Sequence, residues 1–97
     1  MKLSYDPIKD KSNQKKHGFS LARAYEIPWD SALVEIDLRR NYGEPRFRAL
    51  ALIGPRVYAV VYTDRDGSRR IISFRKANQR EIKRYFEFRA GSCDADT

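Results

Sequence analysis

Hydrophobic and polar residues alternate along four segments in the middle of the chain. These segments cover residues 32–38, 46–53, 56–63 and 69–75, with turn-forming residues between them at 41–43, 54–55 and 64–67. Alternation with a period of two is typical of half-buried β-strands, and connections this short favour antiparallel pairing of successive strands. The pattern therefore predicts a four-stranded antiparallel sheet.

Helix signals precede the sheet. Asp6 and Pro7 are residue types that cap and open helices, and they predict a first helix over residues 8–16 that Gly18 ends. Ser20 predicts the cap of a second short helix. The N-terminal segment is therefore expected to contribute two helices.

A third helix is predicted after the sheet. Asn78 and Glu81 have the types and the spacing of a capping box, and apolar residues beyond them give the helix one hydrophobic side. Residues 1–90 are thus expected to form a single α+β domain with two N-terminal helices, the four-stranded antiparallel sheet and a C-terminal helix. Residues 91–97 are predicted to form a disordered tail.

Composition limits the class of protein. The chain has 97 residues, of which 41% are hydrophobic, and this is enough for one modest core. Its single cysteine, Cys93, rules out a disulfide framework and fits a reducing compartment. The apolar runs are far shorter than the roughly 18 residues of a membrane span, and no signal-peptide core is present. We therefore expect a cytoplasmic protein that does not enter a membrane.

The chain is also strongly basic. Its formal net charge is +7 and its isoelectric point is about 9.8. A balance this basic in a small chain favours polyanionic partners, most often nucleic acid. An acidic protein partner fits the same charge.

Strand alternation predicts where the basic residues lie. If Phe47, Ile72 and Phe74 pack beneath the helices, a second set of residues must occupy the opposite, wetter face of the sheet. That set is Arg46, Arg48, Ser73 and Arg75.

Tyr58 and Tyr62 share one side of the third predicted strand. On an open face they would stack on nucleobases, each contributing about 1–3 kcal/mol. On a covered face they would be packing residues, and the sequence leaves both alternatives open.

The chain contains residues suited to RNA cleavage by the RNA's own 2′-hydroxyl. That reaction needs a base, an acid and positive charge at the phosphorus. The only histidine, His17, suits proton transfer near neutral pH, although a histidine at a helix end is also favoured simply by the helix dipole. Glu44 is the rival base, and Tyr85 is a weaker candidate acid.

Arginine binds two phosphate oxygens with its planar fork, which predicts a catalytic role for three residues. They are Arg46, Arg65 and Arg75.

Other basic residues are predicted to bind RNA without taking part in the chemistry. They are Lys16, Arg48, Arg69, Arg70, Lys76 and Arg80. Each is alternatively a solvated surface charge. The sequence has no metal-ligand spacing and no phosphate-binding glycine loop, so no metal and no cofactor are expected.

Several motifs together resemble the BrnT toxins of bacterial type II toxin–antitoxin systems. The match includes Asp6-Pro7, Asn13 with Lys16-His17-Gly18, Glu44-x-Arg46, Val61–Thr63 with Arg65, Arg70–Ser73, Arg75–Ala77, and Glu81 with Tyr85. The resemblance extends over about residues 5 to 86. It implies a RelE-like fold and a metal-independent endoribonuclease that inhibits translation.

The same resemblance implies a set of partners. These are an RNA substrate and a cognate BrnA-like antitoxin with a ribbon-helix-helix part, through which the complex would bind operator DNA. The competing interpretation is a degenerate toxin, a module that binds nucleic acid or antitoxin without catalysis.

Overall fold

A five-stranded sheet lies at the centre of the protein, for which a computed structural model describes residues 2–39, 41 and 43–94, with side chains up to residue 91. The strands are β1 (Lys2–Ser4), β2 (Leu33–Ile36), β3 (Phe47–Ile53), β4 (Arg56–Arg65) and β5 (Ser68–Lys76). The helices are α1 (Pro7–His17), α2 (Gln79–Asp94) and two 3₁₀ segments, Leu21–Glu26 and Trp29–Ser31. The α+β class is confirmed.

The predicted sheet is wrong in strand number and in one pairing. The strand order is β1-β5-β4-β3-β2, and β1 runs parallel to β5 with Lys2 opposite Ser68. The remaining pairs are antiparallel, as alternation predicts. β1 has only three residues, too few for a periodic pattern to be recognised.

Local capping explains the helices before the sheet. The Asp6 side chain accepts a hydrogen bond from the Ile8 N–H at 2.9 Å, and Gly18 ends α1 in the left-handed conformation with φ 81°. Both predictions for the first helix are therefore confirmed. Ser20 does cap the next segment, but Leu21–Glu26 is a 3₁₀ helix, so the prediction of a second α-helix is wrong.

The capping box of α2 is present as predicted. The Asn78 side chain accepts from the Glu81 N–H at 2.9 Å, and the Glu81 carboxylate accepts from the Asn78 N–H at 2.9 Å. α2 continues to Asp94, into the segment predicted as a tail, and residues 95–97 lie outside the described residues. The domain boundary at residue 90 stays a prediction. No helix in the described part of the chain is long and apolar enough to cross a membrane.

One face of the sheet, the aromatic face, carries Phe47, Tyr58, Tyr62 and Phe74 and packs against the 3₁₀ segments. Leu21 from the first segment is fully buried there. Tyr58 and Tyr62 are only 7% and 2% exposed, so neither side chain can stack on a nucleobase. Both tyrosines are core residues.

The opposite face, the arginine face, carries Arg48 and Arg75 beside a second apolar cluster. Tyr85 of α2 packs there with Leu50 and Ala59. The face predicted to be the wetter one is therefore exposed only in part, because α2 covers one end of it. The other end carries the basic residues described below.

A β-bulge interrupts β5 at Ile72. The pairing with β4 sets Val61 opposite Ser73 but Tyr62 opposite Ile71, so Ile72 has no partner of its own. One extra residue reverses the phase of the alternation on the N-terminal side of the bulge.

The bulge changes which β5 residues share a face. Ile71 and Phe74 both belong to the aromatic-face core, so the prediction that Ile72 packs there with Phe74 is wrong. Arg70, which strict alternation would assign to the aromatic face, lies on the same face as Arg75.

Candidate active site

Strand pairing arranges the basic residues of the arginine face in successive rows. Arg48, Val61 and Ser73 lie opposite one another on β3, β4 and β5. Arg75 follows two residues later along β5, and Arg70 lies on the other side of the bulge. Because neighbouring strands are about 4.8 Å apart, this end of the face presents a dense group of guanidinium groups.

Helix α1 lies against the edge of β5 where β1 no longer pairs with it. Asn13, which is 6% exposed, donates from Nδ2 to the Phe74 carbonyl at 2.9 Å and accepts at Oδ1 from the Phe74 N–H at 3.1 Å. The same Nδ2 donates to the Phe19 carbonyl at 2.8 Å. The Asn13 amide thus replaces a neighbouring strand and fixes α1 to the sheet.

An open cleft of about 180 Å³ separates α1 from β5. It is lined by Lys9, Ser12, Asn13, Lys16 and His17 of the helix and by Ile72 and Ser73 of the strand. Asn13 and His17 are four residues apart and therefore lie on the same side of α1. The amide that anchors the helix consequently also positions the imidazole over the cleft.

The surroundings of His17 favour its neutral form. Partial burial lowers the pKa of the His17 imidazole below its usual 6.5, and the positive charges of Lys16 and Arg75 lower it further. The C-terminal end of α1 acts in the opposite direction, because the helix dipole favours a cation there. With its pKa lowered by burial and by the two cations, His17 is able to accept a proton at neutral pH.

Arg75 is half-buried and bound to Glu81. Its Nη1 and Nη2 donate to the two Glu81 carboxylate oxygens at 2.8 and 2.9 Å, and Nη1 also donates to the Lys76 carbonyl at 3.3 Å. A guanidinium has five N–H donors. Among the described residues, none accepts from Nε–H or from the second Nη2–H, which lie along one edge of the group. That edge is available to a phosphate.

Glu81 is a buried carboxylate that holds several elements together. Burial raises the pKa of its carboxyl, but the hydrogen bonds from Arg75 and from the Asn78 N–H, with the charge of Arg48, produce a net lowering. The Arg48 Nε lies 3.8 Å from Glu81, and its Nη2 lies 3.4 Å from Glu35. Glu81 therefore stays ionised and ties β3, β5 and α2 to one another.

Glu44 and Arg65 form a separate pair at the far end of the face. The Arg65 Nε donates to the Glu44 carboxylate at 2.9 Å. Arg65 is six residues along β4 from Ala59, the partner of Arg75, which corresponds to about 20 Å. The structure does not bring Glu44 and Arg65 together with His17 and Arg75. Arg46, directly before β3, lies between these two groups.

Two other predicted site residues are built into the packing. Tyr85 is 3% exposed in the core beneath α2. Arg69 lies on the aromatic face, with its guanidinium 4.6 Å from the Trp29 ring and 4.3 Å from the Tyr62 ring, and it donates to Asp64 at 2.8 and 3.1 Å. Neither side chain is directed towards the cleft. Lys76 and Arg80 are exposed, at the end of β5 and at the start of α2, and neither lines the cleft.

Sequence reasoning missed the functional importance of four residues that build this site. They are Lys9, Ser12, Asn13 and Glu81. The spacing of the first three with Lys16 and His17 on one helix face was available as a signal. The contact between Glu81 and Arg75 could not be predicted from the sequence, because it depends on how α2 packs. Within the described residues, no group of three or more His, Cys, Asp and Glu side chains suits a metal ion.

Comparison with protein families identifies a match over most of the chain. A family model described as ribonuclease toxin, BrnT, of type II toxin-antitoxin system matches residues 5–81, which is most of the chain. The matched range contains His17, Arg75 and Glu81, and it ends before Tyr85. No curated protein gives a significant match.

Proposed function

The chain belongs to the BrnT family of ribonuclease toxins of type II toxin–antitoxin systems, and we propose that it cleaves RNA in the cleft between α1 and β5. Family membership implies an RNA substrate and an antitoxin partner. The observation that carries the proposal is the position of His17 in the cleft, beside Lys16 and close enough to Arg75 for both charges to lower the pKa of its imidazole. Groups of this kind in a cleft are typical of catalytic sites.

The proposed reaction is endonucleolytic and requires no metal ion. The 2′-oxygen attacks the adjacent phosphorus while its proton passes to a base, and a 2′-O–P bond forms. The P–O5′ bond then breaks, and the 5′-oxygen takes a proton from an acid. The products are a 2′,3′-cyclic phosphate and a 5′-hydroxyl, so atoms and charges balance without a further reactant.

His17 serves as the base in this proposal. Its neutral imidazole accepts the 2′-hydroxyl proton, and general-base catalysis of this kind contributes about 10²–10⁴ in rate. Glu44 is less suited to the role because its carboxylate is bound to Arg65, far from the cleft. The proton donor for the 5′-oxygen is not assigned, since the Tyr85 side chain is buried beneath α2.

Arg75 stabilises the negative charge that develops on the phosphate. Glu81 fixes the guanidinium by its terminal nitrogens, which leaves the Nε–Nη2 edge to donate to two phosphate oxygens. A preorganised donor of this type is worth about 3–4 kcal/mol in the transition state. Lys16 adds positive charge from the helix side of the cleft.

The remaining cations bind the RNA strand on either side. Arg46, Arg70 and the Arg65–Glu44 pair form a track along the open end of the arginine face, and Arg80 at the start of α2 extends it past Arg75. Lys76, which is paired with Tyr58, lies on the side of the aromatic face and has no role in this track. Binding through such contacts is sensitive to salt. We assign structural roles to Arg48, which is bound to Glu35, and to Arg69, which lies on the aromatic face.

The wider context follows from the family. We propose that RNA cleavage inhibits translation in the cytoplasm, and that a BrnA-like ribbon-helix-helix antitoxin neutralises the toxin and carries the complex to operator DNA. The fold is proposed to be RelE-like, in one domain over residues 1–90. A basic cleft also suits inhibition by an acidic antitoxin segment that covers it.

Incubation of the purified protein with RNA in EDTA tests the reaction. Cleavage that leaves cyclic-phosphate ends, and that is lost in His17→Gln but kept in Lys15→Gln, is the expected result. Lys15 lies next to Lys16 but does not line the cleft, so this variant controls for a substitution near the same end of α1 outside the site. Intact RNA after incubation with the correctly folded protein would count against the proposal.

A non-catalytic binding module is the second candidate. This function is favoured by the carboxylate partners of Arg65 and Arg75, because these carboxylates reduce the positive charge available to the phosphate in the transition state of cleavage. A protein that binds RNA with a salt-dependent affinity in the same buffer, and leaves it intact, would support this second function.

A further inference from the structure

The helix side of the cleft carries a regular row of polar side chains. Lys9, Ser12, Asn13 and Lys16 are spaced by three, four and seven residues and therefore share one side of α1. Lys11 and Lys15 fall on other sides of the helix and do not line the cleft. Of the α1 lysines, Lys9 and Lys16 are therefore the ones that line the cleft.

The row is long enough to contact more than one phosphate. Lys9 and His17 are eight residues apart, which corresponds to about 12 Å along a helix. His17 and Lys16 lie at the end near Arg75, where cleavage is proposed. Lys9 lies about two helical turns from Lys16, too far to contact the same phosphorus, and Ser12 lies one turn from Lys16 on the side of Lys9.

The cations of this row differ in their partners from three arginines of the sheet. Arg48, Arg65 and Arg75 each pair with a carboxylate. Among the described residues, no carboxylate pairs with Lys9 or Lys16, and no residue that lines the cleft is acidic. Asp10, next to Lys9, instead accepts hydrogen bonds from Ser20 and the Leu21 N–H.

We propose that Lys9 and Ser12 form a second phosphate site, which binds the phosphodiester adjacent to the one that is cleaved. The Lys9 ammonium and the Ser12 hydroxyl are donors suited to phosphate oxygens. The site orients the RNA strand along α1 from His17 towards the start of the helix. The inference rests on the proposed ribonuclease function and adds the path of the substrate to it.

A chemically defined substrate tests the second site. The probe is a DNA oligonucleotide with one ribonucleotide, so that only one phosphate is cleavable, and with a neutral methylphosphonate on the 5′ or the 3′ side of it. For the unsubstituted protein, one of the two replacements is expected to lower kcat/KM about fivefold, the scale of an exposed ion pair. The position that responds gives the direction of the strand.

Lys9→Gln and Ser12→Ala should abolish that difference between the charged and neutral probes, whereas Lys11→Gln, a matched change on another side of α1, should retain it. In Lys9→Gln, the slope of log(kcat/KM) against the logarithm of the salt concentration should also decrease by about one, which corresponds to the loss of one phosphate contact. A difference that persists in Lys9→Gln, or that Lys11→Gln removes equally, would overturn the proposal.

A second measurement separates this inference from the proposed reaction. If no probe is cleaved, the ribonuclease proposal fails, but the affinity of the same oligonucleotides, measured by fluorescence anisotropy, still reports on Lys9. If the methylphosphonate lowers the affinity of the unsubstituted protein and of Lys11→Gln but not that of Lys9→Gln, the second phosphate site is supported independently of cleavage. Equal affinity for charged and neutral probes in every variant would reject it.

Discussion

Glu81 binds the Arg75 guanidinium with both carboxylate oxygens, and the same carboxylate closes the capping box that begins α2. The orientation of a proposed catalytic group is therefore coupled to the attachment of a helix. A substitution at either residue is expected to affect both stability and activity.

Arg75→Ala should lower the RNA cleavage rate by at least ~10²-fold, because a preorganised donor to the phosphate is lost. Only 25% of the Arg75 side chain is exposed, so the substitution is expected to affect the fold as well. Removing this partner of buried Glu81 should reduce the free energy of unfolding by about 1–3 kcal/mol. Urea unfolding and cleavage assays measure the two effects.

The double variant Arg75→Ala/Glu81→Gln separates these effects. Neutralising residue 81 removes the unpaired buried charge, so the double variant should regain part of the stability without regaining activity. Activity that returned with stability would show that Arg75 acts only through the fold.

Lys16→Gln should raise the pKa of His17, since one of the charges that lower it is removed. An NMR titration of the imidazole measures the change. If His17 is the base, the acidic limb of the pH–rate profile should move to higher pH in the same variant. Lys15→Gln is the matched control, and an equal shift there would argue against a specific effect of Lys16.

Asn13→Asp keeps the shape of the side chain but replaces its two N–H donors by an oxygen. A carboxylate would then face the Phe19 and Phe74 carbonyls, which should cost about 2–3 kcal/mol in the free energy of unfolding. At a temperature where the variant is folded, kcat should fall more than KM rises, because His17 loses its fixed position. An unchanged kcat would show that α1 is held by other contacts.

Lowering the pH should reduce the free energy of unfolding, because the Asp37 carboxylate becomes protonated. Hydrogen bonds from Arg39 are the main cause that lowers the pKa of the Asp37 carboxyl from 3.8 to about 2. A carboxyl with a lower pKa when folded contributes stability above its unfolded pKa, and the contribution is lost as pH falls through the folded value. Asp37→Asn should therefore be less stable than the unsubstituted protein near neutral pH, and the difference should shrink towards pH 2.

Urea unfolding as a function of pH measures this contribution. Asp66→Asn changes an exposed carboxylate in a turn and serves as the control. A difference between the Asp37 variant and the unsubstituted protein that does not depend on pH would contradict the assigned role of the carboxylate.

The sequence predicted the features that depend on neighbouring residues. The caps formed by Asp6, Gly18 and Asn78 are short-range interactions, and their residue types identify them directly. The four longer strands were also found, because each buries one face and so alternates.

Features that depend on packing were not predictable in the same way. β1 is defined by its parallel partner in β5, and the cover that α2 gives to the arginine face depends on long-range contacts. For the site, residue types identified His17 and Arg75 as candidates. Their separation from Glu44 and Arg65 became evident only from the strand register.

The extra residue at Ile72 determines which face of the sheet each preceding residue of β5 occupies. With one residue fewer in this strand, Arg69 and Arg70 would exchange sides, and the cation now packed between Trp29 and Tyr62 would turn towards the substrate. Insertions and deletions at this point are therefore able to change which charges meet RNA while the composition stays almost constant. Related chains that differ by a single residue here should differ in substrate preference more than their overall similarity implies.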